Sequence, residues 1–277
     1  MWFMDDWRGN MLSDWQTSTT ALEEYSRVFA SVEGNTTFYG LPSAQRVDQW
    51  LKMVPDNFRF CFKLPKDVSH SDNLVAAYCN HRQQILAFFN QLGDRLGSVL
   101  LQLPATFSPL RQQELREFLG QLKQDVAMDI SVELRNLQFF DKSEHESILL
   151  RSLSDVGAGR TIFDSRGLFA DSAMTDAVLD ARAKKPRMPV HPIATHSSPV
   201  VRFIGHSDWK QNERYLLQWK QKLGLWLEEG RTPYFFIHTA GNTDVQYFVR
   251  YLEELWGLGE QTWPGESGPG KTDDLFG

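Results

Sequence analysis

The chain reads as an α/β protein, a (β/α)8 barrel whose first strand is missing or reduced to a stub. Three observations predict this. Short apolar runs of strand type alternate with longer segments of helical periodicity, which implies a parallel sheet with helical crossovers. The length of 277 residues suits one barrel, which typically takes about 250. Finally, nearly every apolar run ends on a polar or ionisable residue. An ion on a buried strand is costly unless paired or wet. Many strands that each carry one at the same end point to a shared polar site, at the C-terminal edge of the strands.

The elements follow in order. Met1–Phe3 is the candidate stub, and a helix over 21–29 follows it with no strand in front. Residues 31–39 form the first readable strand. Ser43 caps a helix running to Met53. The strand over 58–64 precedes a helix over 81–92, and the strand over 98–103 precedes one over 108–122. That last helix opens with a Ser cap and with Pro109 at its first position. After the strand over 128–135, Ser143-Glu144-His145-Glu146 is a capping box that opens a helix to about Val156. Strands over 160–164, 200–204 and 234–239 alternate with helices over 176–184, 212–229 and 243–258. Seven strands are readable where a closed barrel needs eight. A gap or weak closure is therefore expected at the start of the chain, with an unpaired parallel edge on each side. Residues 1–258 read as a single barrel domain. Residues 259–277, rich in Gly, Pro and acidic residues, read as a disordered tail. The Pro-rich basic segment over 183–199 reads as a long loop near the barrel mouth, a solvated connector more than a binding loop.

Composition narrows the function classes. A formal charge of −6 argues against a broad nucleic-acid-binding surface. Two cysteines form neither a disulfide scaffold nor a metal knuckle, which fits a reducing cytoplasm. No apolar stretch approaches the roughly 18 residues needed to span a bilayer, and no secretion signal is visible, so no membrane partner is expected. Gly265-Glu266-Ser267-Gly268-Pro269-Gly270-Lys271-Thr272 matches the phosphate-loop pattern, but no strand precedes it and no helix can follow, so nucleotide binding there is rejected.

Side chains two apart share a strand face. That parity places Glu33, Asn35, Lys63, Gln102, Glu133, Arg135, Asp164, Arg202 and His238 toward the barrel axis, and Phe60, Phe62, Leu101, Leu103, Val132, Leu134, Phe163, Phe203 and Ile237 toward the helices. These groups either plug the barrel by pairing with one another, as Glu133 with Lys63 or Asp164 with Arg202, or they line a site. Buried ion pairs are poor stabilisers against apolar replacements, so a polar layer this large favours a site. His70 lies on the predicted functional rim. His191, His196 and His206 read as surface residues. Glu33, Glu133, Asp164 and His238 lack the short-range His or Asp pairing of a metal centre, so no metal is expected, and no cofactor is readable.

The chain resembles the YecE-like family, bacterial domain of unknown function 72. The landmarks are Val32-Glu33-Gly34-Asn35-Thr36-Thr37-Phe38-Tyr39, Phe58-Arg59-Phe60-Cys61-Phe62-Lys63, Ser69-His70, Gln102-Leu103-Pro104, Glu133-Leu134-Arg135, Asp164-Ser165-Arg166 and Arg202-Phe203-Ile204-Gly205. The resemblance implies a TIM-type barrel and names no reaction. Family members begin with a strand that carries a Gly-containing motif before a Trp, of which this chain retains the Trp as Trp2; His238 stands where many relatives have Asn. Several relatives end in a peptide similar to the motif that docks on the bacterial sliding clamp, with Leu275 and Phe276 as the corresponding anchor here and Lys271 in place of its Gln. The leading expectation is an enzyme acting on a small anionic substrate, phosphorylated or carboxylated. Lys63, Arg135 and Arg202 would bind it, with Asn35, Gln102 and His238 beside them. Glu33 and Glu133 would serve as acid and base, Asp164 would orient a partner, and His70 would assist at the rim. The rival is a DNA-maintenance accessory protein that docks on the clamp through its tail. A third possibility is a barrel without catalysis, shortened by a misassigned start codon.

Overall fold

A computed structural model describes residues 1–13, 20–259 and 262–266. Its strands are β1 (Ser31–Gly34), β2 (Arg59–Lys63), β3 (Leu96–Gln102), β4 (Asp129–Glu133), β5 (Ala158–Arg160), β6 (Ile162–Asp164), β7 (Val200–Ile204) and β8 (Tyr234–His238). Its helices are α1 (Ala21–Val28), α2 (Ala44–Met53), α3 (Lys66–Ser69), α4 (Leu74–Leu92), α5 (Gln112–Asp125), α6 (Glu144–Asp155), α7 (Arg166–Ala170), α8 (Asp176–Lys184), α9 (Glu213–Glu228) and α10 (Val245–Trp256).

Every strand pair is parallel, in two sheets ordered β1-β2-β3-β4-β5 and β6-β7-β8. The two sheets meet at Thr161, the single residue between β5 and β6. Its N–H donates to the Val132 carbonyl (2.8 Å) and its hydroxyl lies 2.7 Å from that of Ser131. One continuous run, 158–164, thus pairs first with β4 and then with β7. The result is a row of strands with no closed barrel, and the gap expected near the start of the chain is matched by an opening beside β1. The row is open between β8 and β1, which approach each other without pairing. At the opening the Met1 nitrogen donates to the Glu33 carbonyl (2.6 Å), and Trp2 packs edge-on against Trp50 and Phe60, but 1–3 is not a strand.

Local chemistry explains most helix boundaries. Ser43 and Thr175 accept from Arg46 and Val178 N–H, and Asn73 accepts from Ala76 N–H, the N-cap pattern. Gly93 ends α4 at φ +52°, open to glycine at little cost. Two expectations shift. Ser108 makes no side-chain cap; Pro109–Arg111 is a 3-10 turn and α5 starts at Gln112. In the expected capping box Ser143 accepts from His145 N–H, while Glu146 reaches back to Lys142 N–H instead of closing on Ser143.

The outward faces of the strands carry the main core. Phe60 and Phe62 stack between Trp50 of α2 and Phe88 of α4, and Val99, Leu101, Ile130 and Val132 meet Leu115, Phe118 and Leu122 of α5. Each such side chain contributes about 1.5–3 kcal/mol by leaving water. Val201 and Phe203 of β7 do the same against Leu216, Trp219 and Phe248. Inside the row Cys61, Leu100, Val200 and Phe236 form a small apolar layer. Two residues further along the same strands stand Lys63, Gln102, Arg202 and His238, so the period of the strand stacks a polar layer on that apolar floor. A third cluster joins Trp7, Met11, Leu12, Val245, Val249 and the fully buried Trp263. Packing therefore continues past Leu258, as far as Glu266, which pairs with Arg250. Leu275, Phe276 and the phosphate-loop look-alike beyond Glu266 lie outside the described residues. Among those described, no helix is long and apolar enough to cross a membrane.

Candidate functional site

The polar layer at the strand C-termini closes around Arg202. Its guanidinium donates to both oxygens of Glu33 (Nε to Oε2, 2.7 Å; Nη2 to Oε1, 3.0 Å) and through Nη1 to Glu133 Oε2 (2.6 Å). One arginine on β7 thereby ties β1 to β4 across the interior. Arg135 Nε donates to the other Glu133 oxygen (2.8 Å). Lys63 Nζ donates to Gln102 Oε1 (2.8 Å) and lies 3.7 Å from Glu33 Oε1. Thr37 holds the end of β2 by donating to the Lys63 carbonyl (2.7 Å). His238 Nε2 lies 3.7 Å from Glu33 Oε2, too far for a hydrogen bond.

Six of the expected strand positions, Glu33, Lys63, Gln102, Glu133, Arg202 and His238, are thus brought together, with Arg135 at their rim. Asn35 follows β1, lines the same cavity and buries its Oδ1. His70 sits farther out, with its ring against Phe38 and Nδ1 3.0 Å from Ser69 Oγ; partial burial, then Lys66, Arg135 and Lys63, lower its proton affinity. Asp164 does not join them. It faces the helices, accepting from Trp219 Nε1 of α9 (2.8 Å) and pairing with Arg166 (2.8 Å). Phe163 instead faces the axis, under the Arg202 guanidinium at 5.3 Å. Thr161 points inward to Ser131, so two residues on Phe163 points inward as well. The expected Asp164–Arg202 pair is therefore absent, and Glu133 pairs with Arg202 and Arg135 in place of the expected Lys63.

Of the three histidines expected on the surface, His196 is buried and His191 and His206 are half-buried with partners. His191 Nδ1 lies 2.7 Å from Glu146 Oε1. His196 is buried with its ring over Gly159, where any Cβ would collide with it. His206 accepts from Asp208 N–H (2.9 Å) and lies 3.7 Å from Asp171. Sequence reasoning also missed Lys185. The segment read as a solvated connector turns this residue into the mouth, half-buried and lining the same cavity. The signal available was a basic run next to Pro186, at the end of a helix.

That cavity, about 450 Å³, opens where β8 and β1 fail to pair. Glu33, Asn35, Lys185, Arg202 and His238 line one end; Tyr25, Phe29, Val245 and Val249 line the other. Burial alone would raise the Glu33 and Glu133 carboxyls. Arg202 and Lys63 at both, with Arg135 at Glu133, outweigh it: Glu33 is held well below the usual range and Glu133 down to about 2. Both are therefore held as carboxylates near neutral pH, which disfavours the acid role expected of one of them. Burial, reinforced by Arg202, lowers Lys63 and brings Lys185 down to about 8. Burial also lowers His238 to about 4, against the pull of Glu33, so its imidazole is neutral. Lys63, Arg135, Lys185 and Arg202 thus outnumber Glu33 and Glu133. Two buried atoms here, Asn35 Oδ1 and His238 Nε2, have no hydrogen-bond partner among the described residues. Among the described residues no three His, Cys, Asp or Glu side chains are grouped to hold a metal ion.

Comparison with known proteins gives one consistent result. The sequence profile described as "Protein of unknown function DUF72" matches residues 1–272. The UPF0759 protein YecE of Escherichia coli is 41% identical over 238 residues, 86% of this chain and 85% of that protein. A crystal structure of a DUF72 family protein from Thermotoga maritima superposes with a TM-score of 0.64 at 21% identity, over 91% of this chain and 96% of that one. One from Enterococcus faecalis gives 0.65 at 21% identity, over 88% and 96%. The chain belongs to the DUF72 family.

Proposed function

We propose, with that membership as the premise, that the mouth of the strand row binds a small anion, a phosphate or carboxylate, and that it is an enzyme site using acid–base chemistry. The observation that carries this reading is the surplus of cations over carboxylates around a cavity into which Asn35 and His238 bury unpartnered polar atoms. A plug built for stability would balance its charges and satisfy its polar atoms. An anion would complete both. Arg202 and Lys185 would bind it, with Lys63 and Arg135 supplying field from behind. His238, held neutral by burial, would donate a hydrogen bond to the anion, and Lys185, brought down to about 8, is the group poised to exchange a proton. The open row is read as an eight-position barrel with the place between β8 and β1 not taken by a strand, the chain as one domain that extends past Leu258 to include Trp263 and Glu266, and the protein as cytoplasmic.

The test is calorimetry and thermal unfolding of the full chain with phosphate, sulfate and small carboxylates. Saturable binding that raises the unfolding midpoint in the wild type, and is lost in Arg202→Met, is the expected result. Equal behaviour with and without these anions would sink the reading.

A further inference from the structure

We infer that Lys185 is a nucleophile that forms an imine with the carbonyl carbon of a small anion, such as a 2-oxo acid. The inference rests on the proposed anion site and names its substrate class. Lys184 and Lys185 are neighbours with opposite fates. Lys184 is solvated and bonded to Asp180 (2.9 Å). Lys185 lines the cavity beside Glu33, Arg202 and His238, and its amine has no hydrogen bond or ion pair among the described residues. Its backbone is held on both sides. The Lys185 N–H donates to the Ala181 carbonyl (2.8 Å) at the end of α8, and the Pro186 carbonyl accepts from Ser165 Oγ (2.9 Å). An unpaired amine, desolvated and next to a guanidinium, keeps a usable free-base fraction near neutral pH; these are the surroundings that make lysine nucleophilic. Lys63 is the poorer candidate: its ammonium is spent on Gln102 and Glu33, and it does not line the cavity.

The step balances with groups on hand. The Lys185 Nζ lone pair attacks the carbonyl carbon, a C–N bond forms, and the carbonyl π pair moves to oxygen. The first nitrogen proton passes to that oxygen through solvent at the open mouth, giving the carbinolamine. The C–O bond then breaks as the nitrogen lone pair forms the C=N bond, and the second nitrogen proton leaves with the hydroxyl as water. The product is the imine. Arg202 would hold the substrate carboxylate while the amine attacks.

The full chain is incubated with pyruvate and sodium borohydride, then weighed intact and mapped by peptide. The expected result is one adduct on Lys185, heavier than the unmodified chain by pyruvic acid less one oxygen atom. Lys185→Arg should remove the adduct, while Lys184→Arg, outside the cavity, should keep both the adduct and the pyruvate-induced rise in unfolding midpoint. An adduct that persists in Lys185→Arg, or maps to Lys184, Lys63 or scattered surface lysines, overturns the inference. A midpoint rise with no adduct also overturns it and leaves the anion site standing. Neither rise nor adduct ends both.

Discussion

Two buried arginines of this protein are each paired with acidic side chains, and they differ in what surrounds them. Arg160, on the outer face of β5, is fully buried. It bonds to Glu146 and to the Phe139 carbonyl, lies over the Phe140 ring at 4.6 Å, and shares Glu146 with His191. One cation meets one carboxylate, so the charges balance, although Arg160 Nε and Nη2 are buried without a hydrogen-bond partner among the described residues. Arg202, on the inner face of β7, meets two carboxylates, yet three more cations crowd the same mouth and a cavity opens on it. The first set locks α6 and the loop after α8 against the strands. The second is left unbalanced. Burial of charge is thus no mark of a site by itself; the mark is charge left over, with room for something to neutralise it.

The sharpest way to break this comparison is Glu146→Ala. Removing one partner of a closed buried pair should cost about 3–5 kcal/mol, read as a lower urea midpoint, with anion affinity in calorimetry unchanged. A loss of affinity would mean that the two sets are coupled. Arg202→Met should do the reverse in emphasis, cutting anion affinity about 10- to 100-fold, the worth of about 1.5–3 kcal/mol in charged hydrogen bonds. Unaltered affinity would reduce the mouth to a second lock.

Acidity separates the sets more finely. Burial pushes His238 from 6.5 to about 4. Between those values the unfolded chain holds more protons, so stability falls as pH drops through this window and is level above it. The slope is at most about 1.4 kcal/mol per pH unit. Buried His196, also lowered to about 4, acts in the same sense. Urea unfolding of the wild type and His238→Asn across this range isolates the mouth histidine: the variant should lose stability less steeply, and parallel curves would contradict its buried neutral state. The smallest effect is expected from Asp164→Asn, about 1 kcal/mol of stability and no change in anion affinity. A tenfold loss of affinity there would return Asp164 to the site.

Much of this was legible in advance, for a local reason. Alternation with period two depends only on neighbouring residues, so the placement of Glu33, Lys63, Gln102, Glu133, Arg202 and His238 on one face could be read from one strand at a time. The same rule failed at Asp164, because the parity of β6 follows from Thr161, where one run changes partners from β4 to β7. No pattern within 160–164 reveals that change.

The amino-acid sequence by itself determined the alternating parallel architecture, the polar ends of the strands and the family, since all three reside in short runs of residues. Tertiary structure alone decided that Arg202 bridges two glutamates 169 and 69 residues away in the chain, and that Lys185 turns inward from a basic loop to line the cavity. These depend on which distant groups meet in low dielectric, where charge, burial and backbone pairing are settled together rather than residue by residue.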